Sequence, residues 1–121
     1  MTYITIDGDD IGRQITAMYL RNDPVSLSAF AAMVQDKAEQ IARMLQTQGF
    51  TVIFCAADGV VGHADKPLSN GSHLYPLIQS IGGHDLTFSA GMGGSLREAY
   101  IALLAAKSNG KARLVTFSEM P

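Results

Sequence analysis

Read in order, the hydrophobic and polar positions of the 121-residue chain divide it into nine elements. Tyr3-Ile4-Thr5-Ile6 has the β-branched and aromatic content of a buried strand. Ile11, Ile15, Met18 and Tyr19 then recur at helical spacing, until Asn22-Asp23-Pro24 ends the helix by biasing its last residues away from helical backbone. A longer helix, capped by Ser26 or Ser28, carries Phe30, Met33, Val34, Ala38, Ile41, Ala42 and Leu45 on one face and stops at Gly49. Phe50 to Cys55 is a continuous apolar run, which predicts a strand buried on both faces. Ala56-Ala57-Asp58-Gly59 reads as a tight turn, and Val60 to His63 returns as the second arm of a hairpin.

Ala64 to Ser72, with Pro67, Ser69, Asn70 and Gly71, has the composition of an exposed loop. Leu74, Leu77, Ile78 and Ile81 mark a short helix stopped by Gly82-Gly83, and Leu86 to Ala90 is a further strand. Gly91-Met92-Gly93-Gly94 is read as a tight connection to the next helix. It is no dinucleotide fingerprint, because the third glycine would fall at Leu96. Ser95-Leu96-Arg97-Glu98 fits a capping box, and the helix it opens is expected to bury Leu96, Ala99, Tyr100, Leu103 and Leu104 before Asn109-Gly110. Arg113 to Phe117 is a last strand, followed by a loose tail. The order β-α-α-β-β-α-β-α-β predicts an α+β fold: a largely antiparallel sheet covered by helices, with the ferredoxin-like βαββαβ arrangement at its core.

Composition narrows the function. Residues 1–121 read as one domain with 47% hydrophobic and 17% charged residues, a globular balance. A net charge of −2 and a pI near 5.8 argue against a stable nucleic-acid partner, which needs a basic surface, but leave room for a small phosphorylated ligand. RNA binding on the open sheet, as in an interaction domain, would need exposed strand aromatics, and Tyr3, Phe54 and Phe88 serve equally well as core. Cys55 is the only cysteine, so no internal disulfide forms, and with no leader or membrane-spanning run the chain reads as soluble and cytoplasmic.

Three features carry potential chemistry. Asp7-Gly8-Asp9-Asp10-Ile11-Gly12 gathers three carboxylates where a strand gives way to a helix. It reads equally well as an acidic helix cap or as a site for a hard divalent cation. Asp58 at the hairpin tip is adequately explained as a turn residue, but a ferredoxin-like sheet places the hairpin beside the first strand, so Asp7 and Asp58 can meet. Lys107 and Lys111 either complement the dipole of the last helix or aim two cations at a triphosphate. His63, His73 and His84 lack metal-ligand spacing and read as surface or loop residues, Cys55 reads as a buried inert thiol, and Ser89 and Ser95 lack a paired base.

Together these features resemble a family. Asp7 to Gly12 resembles the first metal-binding strand end in the palm of the type III CRISPR polymerase subunit. Ala56-Ala57-Asp58-Gly59-Val60 is similar to the GGDD or GGDEF hairpin shared with diguanylate cyclases, and Phe88 to Met92 with Lys107 and Lys111 is similar to their closing strand and helix. A palm this short most resembles the minimal CRISPR polymerases, mCpol. The resemblance implies a nucleotidyltransferase that joins nucleoside triphosphates into a cyclic di- or oligonucleotide in bacterial anti-phage defence, with a downstream receptor for the product. It implies two Mg2+ or Mn2+ ions held by Asp7, Asp58 and the Gly8 carbonyl, with Asp9 or Asp10 as possible additions to the shell. Amides after Asp9, over Asp10, Ile11 and Gly12, would receive the triphosphate, and Lys107 and Lys111 would engage its outer phosphates. One site holds one triphosphate, so a homodimer is expected.

Two departures from the pattern matter. Ala56-Ala57 replace the usual glycines and Gly59 stands where a second acid is common, which leaves open a degenerate palm that binds nucleotide or a protein partner without turnover. Ile15 stands where the cyclases place a guanine-reading Asn, so ATP is the favoured substrate.

Overall fold

In a computed structural model, residues 1–67 and 71–121 are described. Leu68, Ser69 and Asn70 of the expected loop lie outside the described residues. The first strand, β1 (Thr2–Gly8), alternates strictly between buried and half-buried positions, so Ile4 and Ile6 enter the core while Tyr3, Thr5 and Asp7 share the opposite face. It pairs antiparallel with β3 (Gly59–Ala64) on one side and with β4 (Phe88–Gly93) on the other. The edge strand β2 (Thr51–Ala56) pairs antiparallel with β3, and β5 (Leu114–Thr116) lies parallel to β4, giving the order β2-β3-β1-β4-β5. The expected α+β, mostly antiparallel palm is therefore what the chain forms.

Two layers of helix use the sheet's two faces. Ile4, Ile6, Val60, Phe88, Ala90 and Met92 point toward α1 (Ile11–Leu20), α2 (Pro24–Thr47) and α3 (Tyr75–Gly82), where Phe30, Val34, Ile41, Leu74 and Ile78 complete the core. The other face receives α4 (Leu96–Ser108), laid across β4 and flanked by β1 and β5. Its approach depends on Gly91 and Gly93, because a Cβ on Gly91 would land on the Ala99 carbonyl and the Leu103 amide. These glycines belong to β4 and are where a helix lies on a strand, so they do not form the separate connecting loop expected from sequence.

Several expectations change in detail. Asp23, not Ser26 or Ser28, caps α2: its carboxylate accepts from the Ser26 amide at 3.0 Å, and Pro24 opens the helix instead of only closing the previous one. β2 is exposed along most of its length because it lies at the sheet edge with α2 on one side only, so Cys55 is exposed as well. On α4 the buried side chains are Ala99, Ala102, Leu103 and Ala106, while Leu96, Tyr100 and Leu104 are exposed; small residues are what fit against Gly91 and Gly93. Tyr19 is likewise exposed on α1. Ala64 is buried at the end of β3, and the tail forms a short 3-10 turn over Phe117–Glu119. No described helix is long and apolar enough to cross a membrane.

Candidate active site

The antiparallel register sets Asp7 opposite Gly59 and so beside the hairpin tip that carries Asp58. Gly8 closes the gap: its amide donates to the Asp58 carbonyl at 3.2 Å, and a Cβ on it would come within 2.8 Å of Ile11 Cγ1 and 3.2 Å of Asp58 Cβ. Burial raises the Asp7 pKa above the usual carboxylate range and the facing Asp58 charge raises it further, against a lowering pull from Lys107. Two acids that share a site at such a cost call for a cation.

The cation present in the protein is Lys107. From the end of α4 its ammonium donates to the Gly8 carbonyl at 2.8 Å and to Asp9 Oδ1 at 2.8 Å, and it pairs with Asp7 Oδ2 at 3.2 Å. Desolvation alone would lower the Lys107 pKa, but Asp9 and Asp7 together raise it. Nζ thus engages Asp7 and the Gly8 carbonyl, two of the oxygen donors that sequence reading assigns to a metal.

Asp9 has a different task from Asp7. Its side chain is only 2% exposed and accepts from Thr87 Oγ1 and Ser89 Oγ at 2.7 Å each, from Lys107 at 2.8 Å and from the Ala112 amide at 3.0 Å. Four donors fill the acceptor capacity of one carboxylate. Burial works to raise its pKa, but the bonds from Lys107, Ser89, Thr87 and Ala112 outweigh it and leave the acid below its ordinary value. Asp9 therefore ties β1 to β4 and to the turn after α4, a turn in which Lys111 and Ala112 both take left-handed backbone at φ 64° and 50°. Sequence reading left Ser89 without a paired base; the structure makes it a donor to Asp9, from a position eighty residues away in the chain.

Asp10 occupies the N-cap position of α1 with φ 60°, yet its side chain makes no cap. Its carboxylate turns instead to Lys111 at 2.5 Å and Arg13 at 3.4 Å, and the Lys111 bond lowers its pKa. The first backbone bond of α1 runs from Gln14 to the Asp10 carbonyl at 3.1 Å. Among the described residues the amides of Ile11, Gly12 and Arg13 thus have no protein acceptor, and they open beside Asp7 with the positive end of the helix dipole. Asp7, Gly8, Asp9, Asp10, Ile11, Gly12, Asp58, Lys107 and Lys111 are all brought to one end of the sheet.

On the opposite sheet face, next to Asp58, lies a cavity of 370 Å³ that sequence reading did not locate. It is lined by Ile11 and Ile15 of α1, by Phe30, Ala31, Val34 and Gln35 of α2, and by Ala57. Only the α2 periodicity hinted at it, since Phe30 and Val34 look identical to core residues in a helical pattern. His63 is not a loop residue: it sits half-buried on β3 with its ring 5.7 Å from Tyr3.

The donors suit a hard cation. Asp7, Asp58 and the Gly8 carbonyl supply oxygen ligands, and magnesium is commonly held by one or two carboxylates with substrate phosphate and water completing the shell. No group of three or more His, Cys, Asp or Glu side chains that could form an all-protein cage exists among the described residues. The set fits an ion that arrives with a phosphorylated substrate.

Solved structures similar to this fold include GGDEF and GGEEF domains. The active GGEEF domain of a diguanylate cyclase from Vibrio cholerae superposes with a TM-score of 0.70 at 15% identity, covering 98% of this chain and 83% of that one. The GGDEF domain of DgcB from Caulobacter crescentus, in complex with c-di-GMP, gives 0.66 at 13% identity over 98% and 78%. The GGDEF domain of TpbB (YfiN) from Pseudomonas aeruginosa gives 0.60 at 14% over 95% and 75%. Comparison with curated proteins returns no match. The minimal CRISPR polymerase domain model, in contrast, matches residues 3–117, nearly the whole of the palm just described, and the chain belongs to that family, mCpol.

Proposed function

We propose that this palm is a metal-dependent nucleotidyltransferase that joins nucleoside triphosphates, ATP by preference, into a cyclic di- or oligonucleotide. In each step a ribose hydroxyl oxygen bonds to the α-phosphorus of a second triphosphate, the bond to pyrophosphate breaks, and the hydroxyl proton passes to solvent. Repeating the step within the linear product closes the ring and releases a second pyrophosphate. The observation that carries this reading is the convergence of Asp7, Gly8 and Asp58 beside the uncapped start of α1.

Each residue has a role that follows from its position. Asp7, Asp58 and the Gly8 carbonyl would hold Mg2+ or Mn2+, which when bound supplies charge stabilisation to the attacking and leaving oxygens. The amides of Ile11, Gly12 and Arg13 take phosphate oxygens, since a helix start is a ready anion site. Lys107 gives up Asp7 and the Gly8 carbonyl and turns to the outer phosphates, while its ammonium keeps its bond to Asp9. Lys111, now paired with Asp10, lies at the same mouth for the same charge.

The cavity beside Asp58 accommodates the base, and its lining supports adenine over guanine. Apart from Asp58, Gln35 is the one lining residue with a polar side chain. Guanine would leave more buried polar atoms unpaired there, and each such atom costs about 1–3 kcal/mol. A diffusible cyclic product further implies a separate receptor, in keeping with a signalling role in anti-phage defence.

Incubation with each triphosphate and with mixtures, in Mg2+ or Mn2+, followed by mass spectrometry, tests the reading; absence of any phosphodiester product sinks it. A second reading, a palm that binds nucleotide without turnover, draws on Gly59 in the place of a second hairpin acid and on the lack of a three-acid cage among the described residues. Calorimetry showing ATP binding with no product would favour it.

A further inference from the structure

A second cavity, of 360 Å³, opens where the start of α3 approaches β5, and it shares no lining residue with the cavity beside Asp58. Among the described residues its walls include Ser72 and Tyr75 at the entry to α3, Ala112, Arg113 and Leu114 on the way into β5, and Glu119 of the 3-10 turn. The Tyr75 ring is held in place, because its hydroxyl donates to the Phe88 carbonyl at 3.0 Å. Leu114, in register with the buried Ala90, packs against the core and gives the cavity an apolar floor. Ala112 belongs to the left-handed turn after α4, and its amide is held by Asp9 Oδ2 at 3.0 Å and Ser89 Oγ at 3.1 Å. Two charges in this lining are unused. Arg113 is anchored through its carbonyl, which accepts from the Ala90 amide at 2.9 Å, and through Nε, which donates to the Lys111 carbonyl at 3.0 Å. Its terminal nitrogens have no acceptor among the described residues, and neither Arg113 nor Glu119 has an ion-pair partner there. A cation and an acid thus line one cavity without neutralising each other.

We infer that this cavity binds a nucleoside monophosphate whose base carries an exocyclic amino group. The Arg113 guanidinium, with Nε fixed and its terminal N–H groups free, is the fork that a phosphate takes. Glu119 accepts from the amino group of the base, and the Tyr75 ring and Leu114 offer the base an apolar surface. Size agrees with this class. The 360 Å³ lies near the lower end of small-molecule sites, roughly 300–1,000 Å³, which is room for one nucleotide and not for a cyclic dinucleotide. Inorganic phosphate would meet Arg113 alone, and a free nucleoside would leave Arg113 unpaired. The inference goes beyond the nucleotidyltransferase reading and does not rest on it, since neither Asp7, Asp58 nor any residue of the base cavity lines this one.

The test is titration of the isotopically labelled full chain with AMP, followed through its backbone amide signals. Shifts are expected at Ser72, Tyr75, Arg113, Leu114 and Glu119. Arg113→Ala should weaken binding at these positions by at least about tenfold, the loss expected when a charge-assisted hydrogen bond is removed. Glu119→Gln should weaken it about threefold, since a neutral amide oxygen accepts less strongly than a carboxylate. Both side chains are exposed, so the fold should survive, and the rest of the spectrum verifies that it does. Arg97→Ala, at another exposed arginine outside the cavity, should bind as wild type does. Adenosine and inorganic phosphate should each bind at least about tenfold more weakly than AMP. A spectrum that AMP leaves unchanged, shifts confined to Ile15, Ala31 and Ala57 of the cavity beside Asp58, or undiminished binding by Arg113→Ala overturns the site. Adenosine or phosphate binding as tightly as AMP overturns the ligand class. Failure of this site leaves the nucleotidyltransferase reading standing, whereas shifts at Arg113 in a chain that makes no phosphodiester product leave the site standing and sink that reading.

Discussion

The Lys107 ammonium lies 2.8 Å from the Gly8 carbonyl oxygen, across 99 residues of sequence, and the same nitrogen holds Asp9 and Asp7. One cation thus balances a cluster of acids that would otherwise be costly to fold together. Lys107→Met should destabilise the metal-free protein by about 2–3 kcal/mol, less than a fully buried pair would lose because the side chain is 23% exposed. Urea unfolding at neutral pH reads the change. Magnesium should recover part of it in this variant, and more than it adds to wild type, since the ion no longer competes with Nζ for Asp7 and Gly8.

Asp7 and Asp58 carry the opposite sign. Burial and mutual repulsion hold the Asp7 acid above its ordinary pKa, so its ionised form costs stability without a cation. Asp7→Asn should therefore leave the metal-free protein as stable as wild type or slightly more so, while abolishing phosphodiester formation and the magnesium-induced rise in Tm. Asp58→Asn should do the same to activity. A magnesium effect that survives both substitutions would remove these residues from the metal site.

How much of this could be read from the chain is clear from the same residues. Asp7 and Asp58 were legible because a hairpin after two helices has few places to go in a ferredoxin-like sheet, and the register obeys that topology. The role of Asp9 was not, because its partners Thr87, Ser89, Lys107 and Ala112 lie 78 to 103 residues away and nothing local marks them. The apolar run of β2 has the appearance of a central strand, yet position in the sheet is a long-range property and the run lies on an edge. On α4 two apolar stripes compete, and the large side chains made the wrong one conspicuous. Ala99, Ala102 and Ala106 bury because the glycines of β4 leave no room for more.

That last relationship is directly testable. Gly91 meets the α4 backbone itself, which cannot yield as a flexible side chain would. Gly91→Ala should cost about 3 kcal/mol or more, through displacement of the helix that carries Lys107. Gly12→Ala, where an added Cβ meets nothing within 4 Å, is the control and should change Tm by little. Comparison of the two melting curves separates loss of backbone room from any general effect of replacing glycine.

Acid sensitivity should follow Asp9. Its folded pKa is lowered, so its contribution is fully present above the unfolded value near 3.9 and is lost as pH falls through the folded value. Asp7, raised in the fold, works the other way and gains stability as it takes up a proton. Wild type should therefore hold or slightly gain stability on mild acidification and then lose it below about pH 4. Ser89→Ala removes one of the bonds that depress the Asp9 acid, so the acid limb of its urea midpoint should move to higher pH. An unchanged acid limb would mean that another group controls it.

The cavity proposed to take the base offers the sharpest separation of binding from chemistry. Ala31 is exposed at the rim of the 370 Å³ cavity, on the turn of α2 between Phe30 and Val34. Ala31→Trp should fill the pocket without disturbing the core, raising KM for the triphosphate by at least about tenfold, the equivalent of 1.4 kcal/mol of lost binding. The magnesium response of Tm, which depends on Asp7 and Asp58, should be retained. Gln35→Ala should act differently: it removes the polar side chain that α2 places in the cavity lining, so selectivity among triphosphates should relax while KM for ATP rises only a few-fold. Competition assays with mixed triphosphates distinguish the two. Equal loss for every base in Gln35→Ala would show that the amide contributes volume, not recognition.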